Sequence, residues 1–281
     1  MAIAATRRTR ARSRAGTYLG VLALAVFVLG PVFWLVTTSL KSRDEVFASP
    51  PKFFPSSLTF SNYADVLTSD TVHFFLNSVL VCLGTTVMCV ALALLACYTL
   101  TRTRSRGRKP ILIGVLTSQL LPQAVLLVPL YKAADTLGLL NSYFGLMIAY
   151  LTFTLPVAIW LMRGFLLGIP FDLEEAARID GLSEFGAFWR VIVPLARPGI
   201  AAVGVYVFFM AWQDFMYALV FLTDNSKRTL PLGVLSLIGS HTIEWGQLMA
   251  VSTLLLVPIL LVFTFAQRYF IAGITAGAVK G

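Results

Sequence analysis

Six long apolar stretches decide what this chain can fold into: about Tyr18 to Leu40, Phe74 to Leu100, Ile111 to Leu130, Phe144 to Leu167, Ile200 to Leu222 and Leu248 to Phe270. As helices rising 1.5 Å per residue, each is roughly 30 to 40 Å long, enough to cross a hydrocarbon core of about 30 Å. With 58% hydrophobic residues, 12% charged residues and a mean hydropathy of +0.82, the chain is too apolar for a soluble globule of its length. The expectation is an all-α, multi-pass membrane protein with six transmembrane helices.

Orientation follows from where the cations fall. With the N-terminus inside, Arg7, Arg8, Arg10, Arg12 and Arg14 lie in the cytoplasm, as do Arg102, Arg104, Arg106, Arg108 and Lys109 after the second span. Arg163, Arg178, Arg190 and Arg197 around the fourth-to-fifth connection join them, with Arg268 and Lys280 at the end. Lys41, Arg43, Lys52, Lys132, Lys227 and Arg228 fall outside, and this asymmetry predicts that both termini are cytoplasmic. Anionic membrane lipid and the positive-inside bias account for the net charge of +9 without nucleic acid. The expected organisation is a basic cytoplasmic arm over residues 1–17, a transmembrane domain over 18–270 containing a cytoplasmic loop at 168–199, and a cytoplasmic tail over 271–281. The arm precedes about twenty apolar residues rather than the 7 to 15 of a cleavable signal, so it reads as the start of a retained span.

The polar segment from Pro170 to Leu195 carries the functional signal. Asp172 and Glu175 have the D-x-x-E form of a capping box, Pro170 lies just outside, and Gly181 supplies a left-handed residue to end the helix. Ala176 and Ala177 give a face without bulk, and Glu174 and Arg178 are spaced to pair one turn apart. Ser183 can cap a second helix in which Phe185, Phe188, Trp189 and Ile192 form one apolar stripe. A short, small-faced, charged helix suits a groove on a partner.

This segment resembles the cytoplasmic coupling loop of ABC-importer permeases: Glu175-Ala176-Ala177, three residues, Gly181, nine residues, then Val191-x-Val193-Pro194. The resemblance runs from about residue 20 to the end and is closest to the carbohydrate-uptake branch, in particular the shorter maltose-type subunit. Carrying residues are Phe75-Leu76-Asn77-Ser78, Pro122, Leu130-Tyr131, Leu137 to Ser142, Ala211-Trp212-Gln213-Asp214, Thr229 to Gly233 and Gly273 to Gly281. It implies a type I ABC importer permease architecture in the inner cell membrane. Its implied partners are a second permease subunit in a heterodimer, two ATP-binding cassette subunits that hold ATP and Mg, and an extracytoplasmic solute-binding protein. Glu174, Glu175, Ala176, Ala177, Arg178, Asp180, Gly181 and Pro194 are the implied ATPase-coupling residues. The helix Leu173 to Asp180 would act as a lever, with Thr275 to Gly281 as a second contact to the ATPase dimer.

What is missing from the sequence agrees with a non-enzymatic subunit. Each of the six lysines follows a residue other than Gly, so no Gly-Lys phosphate loop exists and ATP hydrolysis is expected in a partner, with no cofactor held by this chain. His73 and His241 fall near outer span ends without Cys or carboxylate at ligand spacing, and no metal site is expected. Cys82, Cys89 and Cys97 sit too far apart along one helix to bridge and read as small packing residues.

Within the spans, Asp214 stands out, because a charged Asp near the bilayer centre costs about 2.5 to 3.5 kcal/mol on insertion scales. It reads either as an acceptor for substrate hydroxyls, with Trp212 offering a face to a sugar ring, or as a polar clamp to Asn77, Gln123 or a partner subunit. Asn77, Gln119, Gln123, Tyr150, Trp160, Trp212, Gln213 and Asp214 are the candidate substrate-pathway residues. Pro122, Pro129 and Pro156 can kink their spans and shape a cavity. The function expected is uptake of a sugar or small oligosaccharide. The alternatives are a glycerol phosphate or polyol phosphodiester permease, which would want a basic residue in the pathway, and an ion-coupled carrier acting alone, which would want more intramembrane ionisable groups.

Overall fold

A computed structural model describes residues 2–102, 107–238 and 243–278, with side-chain surroundings given within residues 16–265 and at 267. Arg104, Arg106, His241 and the last three tail residues lie outside the described residues. The chain divides into two compact units, residues 1–69 with 236–255 and residues 70–235 with 256–281.

The first unit contains α1 (Ala2–Ser39), α2 (Arg43–Val46) and α3 (Ser61–Thr68). The basic arm continues into the first span as one helix, and Gly16–Ser39 is its span-length apolar part. Helix ends leave carbonyls without intrahelical donors. Here the Asn62 side-chain amide donates to the carbonyls of Ser39 and Lys41, both at 2.9 Å, and the Thr59 amide donates to that of Leu40 at 3.0 Å. Arg43 pairs with Glu244 at 2.8 Å and Gln247 donates to Asp65 at 3.2 Å, tying in the chain around the start of the last helix.

The second unit is built on α4 (Thr71–Arg102), followed by α5 (Arg108–Thr117), α6 (Gln123–Thr136), α7 (Tyr143–Leu167), α8 (Asp172–Ile179), α9 (Glu184–Ala187), α10 (Val193–Leu195), α11 (Arg197–Trp212), α12 (Met216–Phe221) and α13 (Leu230–Gly233). The last helix, α14 (Trp245–Ala278), begins in the first unit and ends in this one. Helices α4, α7 and α11 pack on one another around a core that includes Cys89, Ala93 and Cys97 of α4, Ala158, Met162 and Leu166 of α7, and Val203 and Val207 of α11. Small side chains let helices approach closely where lipid supplies no hydrophobic drive. Gly199 shows how close: a Cβ there would stand 2.6 Å from the Phe165 ring. All three cysteines are buried and free, in keeping with a packing role.

Among the described residues four helices are long and apolar enough to span alone, and there are up to six spans when each of two bent helix pairs counts as one. The third span, expected as one helix over Ile111 to Leu130, is instead bent by 102° between residues 108–120 and 123–136. Leu121 is extended, at φ −80 and ψ 126. The cause is Pro122, whose ring disfavours helical backbone at the residue before it. The fifth span, expected to run from Ile200 to Leu222, stops at Trp212 and resumes as α12 at Met216. On its N-terminal side, α11 meets the 184–195 segment at 72°. Pro194 and Pro198 flank this bend, and neither can donate the backbone hydrogen bond that a continuous helix would need.

Candidate functional site: the 170–195 segment and the Asp214 cluster

Helix α8 is fastened to the end of α4 by one buried carboxylate. Glu174 is 4% exposed. Its Oε1 accepts a hydrogen bond from Tyr98 Oη, and its Oε2 lies 3.4 Å from Nε of Arg102. Arg102 is the last residue of α4, and its Nη2 donates to the Ile169 carbonyl at 3.0 Å while its guanidinium lies 5.6 Å from the centre of the Phe171 ring. A charge removed from water is tolerated when it is paired and hydrogen-bonded, and Glu174 is both. The end of α4 and the start of α8 are therefore one joint.

The helix begins one residue earlier than the capping-box spacing predicts. Phe171 accepts the amides of Glu174 and Glu175 at 2.9 and 3.2 Å through its carbonyl, so Asp172 lies inside the first turn and makes no side-chain cap. Asp172, Glu174 and Glu175 in that turn, and Arg178 in the last, still suit the helix dipole. At the other end Gly181 has φ +91. The Leu182 amide donates to the Ala177 carbonyl at 3.0 Å and the Gly181 amide to that of Arg178 at 3.1 Å. Those two bonds are a Schellman closure, which uses a left-handed residue where Gly181 stands.

The expected Glu174–Arg178 pair does not form, because Glu174 is turned inward. Arg178 pairs instead with Glu184 at 3.2 Å, in the following helix. Ala177 packs inward, whereas Glu175, Ala176, Arg178, Ile179 and Asp180 face outward; Ile179 is 85% exposed.

Ser183 caps α9 as expected, accepting the Gly186 amide at 3.1 Å. The stripe expected beyond it is split. Phe188 and Ile192 are buried, while Phe185 and Trp189 face outward. Residues Phe188–Ile192 form a π-turn, with the Val193 amide donating to the Phe188 carbonyl. The wider turn changes the side-chain register, and it precedes Pro194, which has no amide and whose ring must avoid the carbonyl four residues back.

Asp214 serves as a clamp and a cap. Tyr150 Oη donates to its Oδ2 at 2.9 Å, and the carboxylate accepts the Ala218 amide at 3.1 Å and the Tyr217 amide at 3.4 Å at the start of α12. The clamp is thus to Tyr150, and neither Asn77 nor Gln123 bonds the carboxylate. Asn77 accepts from Tyr143 Oη at 2.8 Å and donates to the carbonyls of Ser226 and Arg228, both at 2.9 Å. Gln123 enters through its carbonyl, which accepts from Tyr217 Oη at 3.1 Å.

Trp212 is buried, stacked on Phe208 and edge-on to Phe75, so it presents no open face for a sugar ring in this conformation. Tyr150 is buried too, among Phe153 and Tyr217. Gln119, Gln123 and Gln213 are exposed and Trp160 is half exposed on α7. The structure therefore brings Tyr150, Asp214, Tyr217 and Gln123 together and leaves Asn77 in a separate network. Among the described residues no three His, Cys, Asp or Glu side chains gather as metal ligands.

Tyr98 and Arg102 are the residues that sequence reasoning missed. Arg102 signals topology like its neighbours, and nothing in the spacing of adjacent Glu174 and Glu175 tells which of them turns inward to meet it.

Residues 3–276 match the family model described as binding-protein-dependent transport system inner membrane component. The chain is 34% identical over 275 residues, 97% of this chain and 98% of the relative, to the inner membrane ABC transporter permease protein YcjP of Escherichia coli. It is 35% identical, with 94% and 95% covered, to the trehalose/maltose transport system permease protein MalG of Thermococcus litoralis. In fold it is similar to a chain of a bacterial ABC transporter involved in alginate import, with TM-score 0.81 at 23% identity over 92% of this chain and 98% of that one. This protein is a multi-pass inner-membrane permease subunit rather than an enzyme, with ATP hydrolysis carried by separate subunits, and it belongs to the family of binding-protein-dependent transport system inner membrane components.

Proposed function

We propose that the chain forms half of an import pathway for a neutral sugar or small oligosaccharide, driven by a separate ATPase that docks on the outward face of α8. The observation that carries the coupling half is the joint among Glu174, Tyr98 and Arg102, through which displacement of α8 pulls directly on α4. Leu173 to Asp180 then moves as a lever, and the bend at Pro122 and the break at Gln213 to Phe215 are where the spans can yield. A second permease subunit completes the pathway, two cassette subunits supply ATP and Mg, and an extracytoplasmic binding protein delivers the substrate. Both termini of the chain face the cytoplasm.

The substrate half rests on chemistry. Among the described residues the groups bonded to Asp214 are the Tyr150 hydroxyl and the amides of Tyr217 and Ala218, with no Lys or Arg bonded to the carboxylate, a setting that favours a hydroxyl-rich neutral ligand over glycerol phosphate. The relative from Thermococcus litoralis bears the name of a trehalose/maltose system. Purification of the tagged chain in mild detergent should recover an ATPase and a second permease. Reconstituted with its binding protein, the complex should take up a labelled di- or oligosaccharide, and excess glycerol phosphate should not compete. Recovery of the chain alone after crosslinking would overturn the coupling reading, and competition by glycerol phosphate would overturn the substrate reading.

A further inference from the structure

The segment after the first span is built inside out. Lys41 is 1% exposed, whereas Phe47, Phe53, Phe54, Leu58 and Phe60 are 63–68% exposed. Lys41 Nζ donates to the Lys52 carbonyl at 2.6 Å, lies 3.4 Å from Thr38 Oγ1 and sits 4.2 Å from the centre of the Trp34 ring. Glu45 accepts the Ser56 amide at 2.9 Å and stands 3.7 Å from Lys52 Nζ. The Lys41 ammonium and Oε1 of Glu45 thus find partners inside the segment while phenylalanines are turned out, the reverse of what water favours.

The segment also doubles back along the span. Phe54 meets Phe33 edge-on at 5.5 Å and Phe53 meets Trp34 at 5.6 Å. Those partners precede Ser39, the last residue of α1, by five and six positions. At 1.5 Å per residue that is about 8 Å back from the end of the helix.

We propose that residues 47–60 are an interfacial anchor, with their exposed phenylalanines and Leu58 seated among the headgroups and upper acyl chains of the leaflet at that end of α1. Three observations favour lipid as the occupant. The surface is continuous with a span whose most apolar window is 0% buried. Phenylalanine and leucine are among the side chains with which interfacial segments enter the boundary between headgroups and acyl chains. Arg43 and Lys52 are exposed beside the patch, where anionic headgroups would meet them.

The three native cysteines are buried, so a maleimide nitroxide will report single introduced cysteines. Phe54→Cys, Leu58→Cys and, as a reference at an exposed carboxylate on α2, Asp44→Cys are labelled in the full chain with its co-purifying subunits in lipid vesicles. Power saturation should show oxygen, which partitions into lipid, relaxing labels at 54 and 58 severalfold better relative to a water-soluble nickel chelate than at 44. A nickel-dominated response at 54 and 58 would mean the patch lies in water. Poor access to both relaxants with an immobilised label would mean that protein covers it. Either result overturns the proposal. Phe47 lies outside the two ring pairs, so Phe47→Cys gives the same reading should the variants at 54 or 58 fail to fold.

Discussion

Glu174 and Arg102 are 5% and 10% exposed at their side chains, so each would be a buried, unmatched charge without the other. Removing one partner of a buried pair destabilises by about 3–5 kcal/mol, whereas replacing both with apolar side chains of similar size is often neutral. Arg102→Met should therefore lower the melting temperature of the purified complex sharply, and Arg102→Met with Glu174→Met should recover most of the loss. A double-mutant cycle on melting temperature measures this, and additive losses would show that the two side chains act independently. Gly181, by contrast, was legible from sequence alone, because few residues other than glycine adopt φ +91 at a helix end. The joint was not, since contact between α4 and α8 is created by the bundle and leaves no periodic trace in either segment.

At the scale of elements, the apolar stretches locate the spans but not their interruptions. Pro122 breaks its span by 102° while Pro156 lies inside an unbroken α7 and Pro258 inside α14, so proline alone does not fix the outcome. What distinguishes the break after Trp212 is a carboxylate able to cap the next helix. Asp214 replaces the missing backbone acceptors of a continuous helix with its own carboxylate oxygens, which accept the amides of Tyr217 and Ala218. Loss of a cap costs about 0.5–2 kcal/mol. Asp214→Asn keeps an acceptor and should leave α12 largely intact. Asp214→Ala should speed amide exchange at Tyr217 and Ala218, read by hydrogen exchange on the reconstituted protein. Equal protection in all three proteins would show that the carboxylate does not hold α12.

For the whole molecule, the proposed lever works only if α8 keeps its shape while its outward face engages the motor. Two kinds of variant separate those requirements. Gly181→Pro removes the amide that donates to Arg178 and forbids φ +91, so the helix loses its closure while its face is unchanged. Glu175→Ala with Arg178→Ala leaves the buried joint at Glu174 in place and strips charge from the exposed face, including the Arg178–Glu184 pair, which as an exposed contact contributes little to stability. Both should lower substrate-dependent uptake by about tenfold or more, the scale of a coupling free energy of 1–3 kcal/mol, with normal abundance in the membrane. They should differ in how the motor binds. The double variant weakens association of the ATPase subunits, seen as their loss on purification, whereas Gly181→Pro retains them and hydrolyses ATP without moving substrate. Normal uptake by either variant at normal abundance would mean that α8 is a tether, and that the motion reaches the spans by another route.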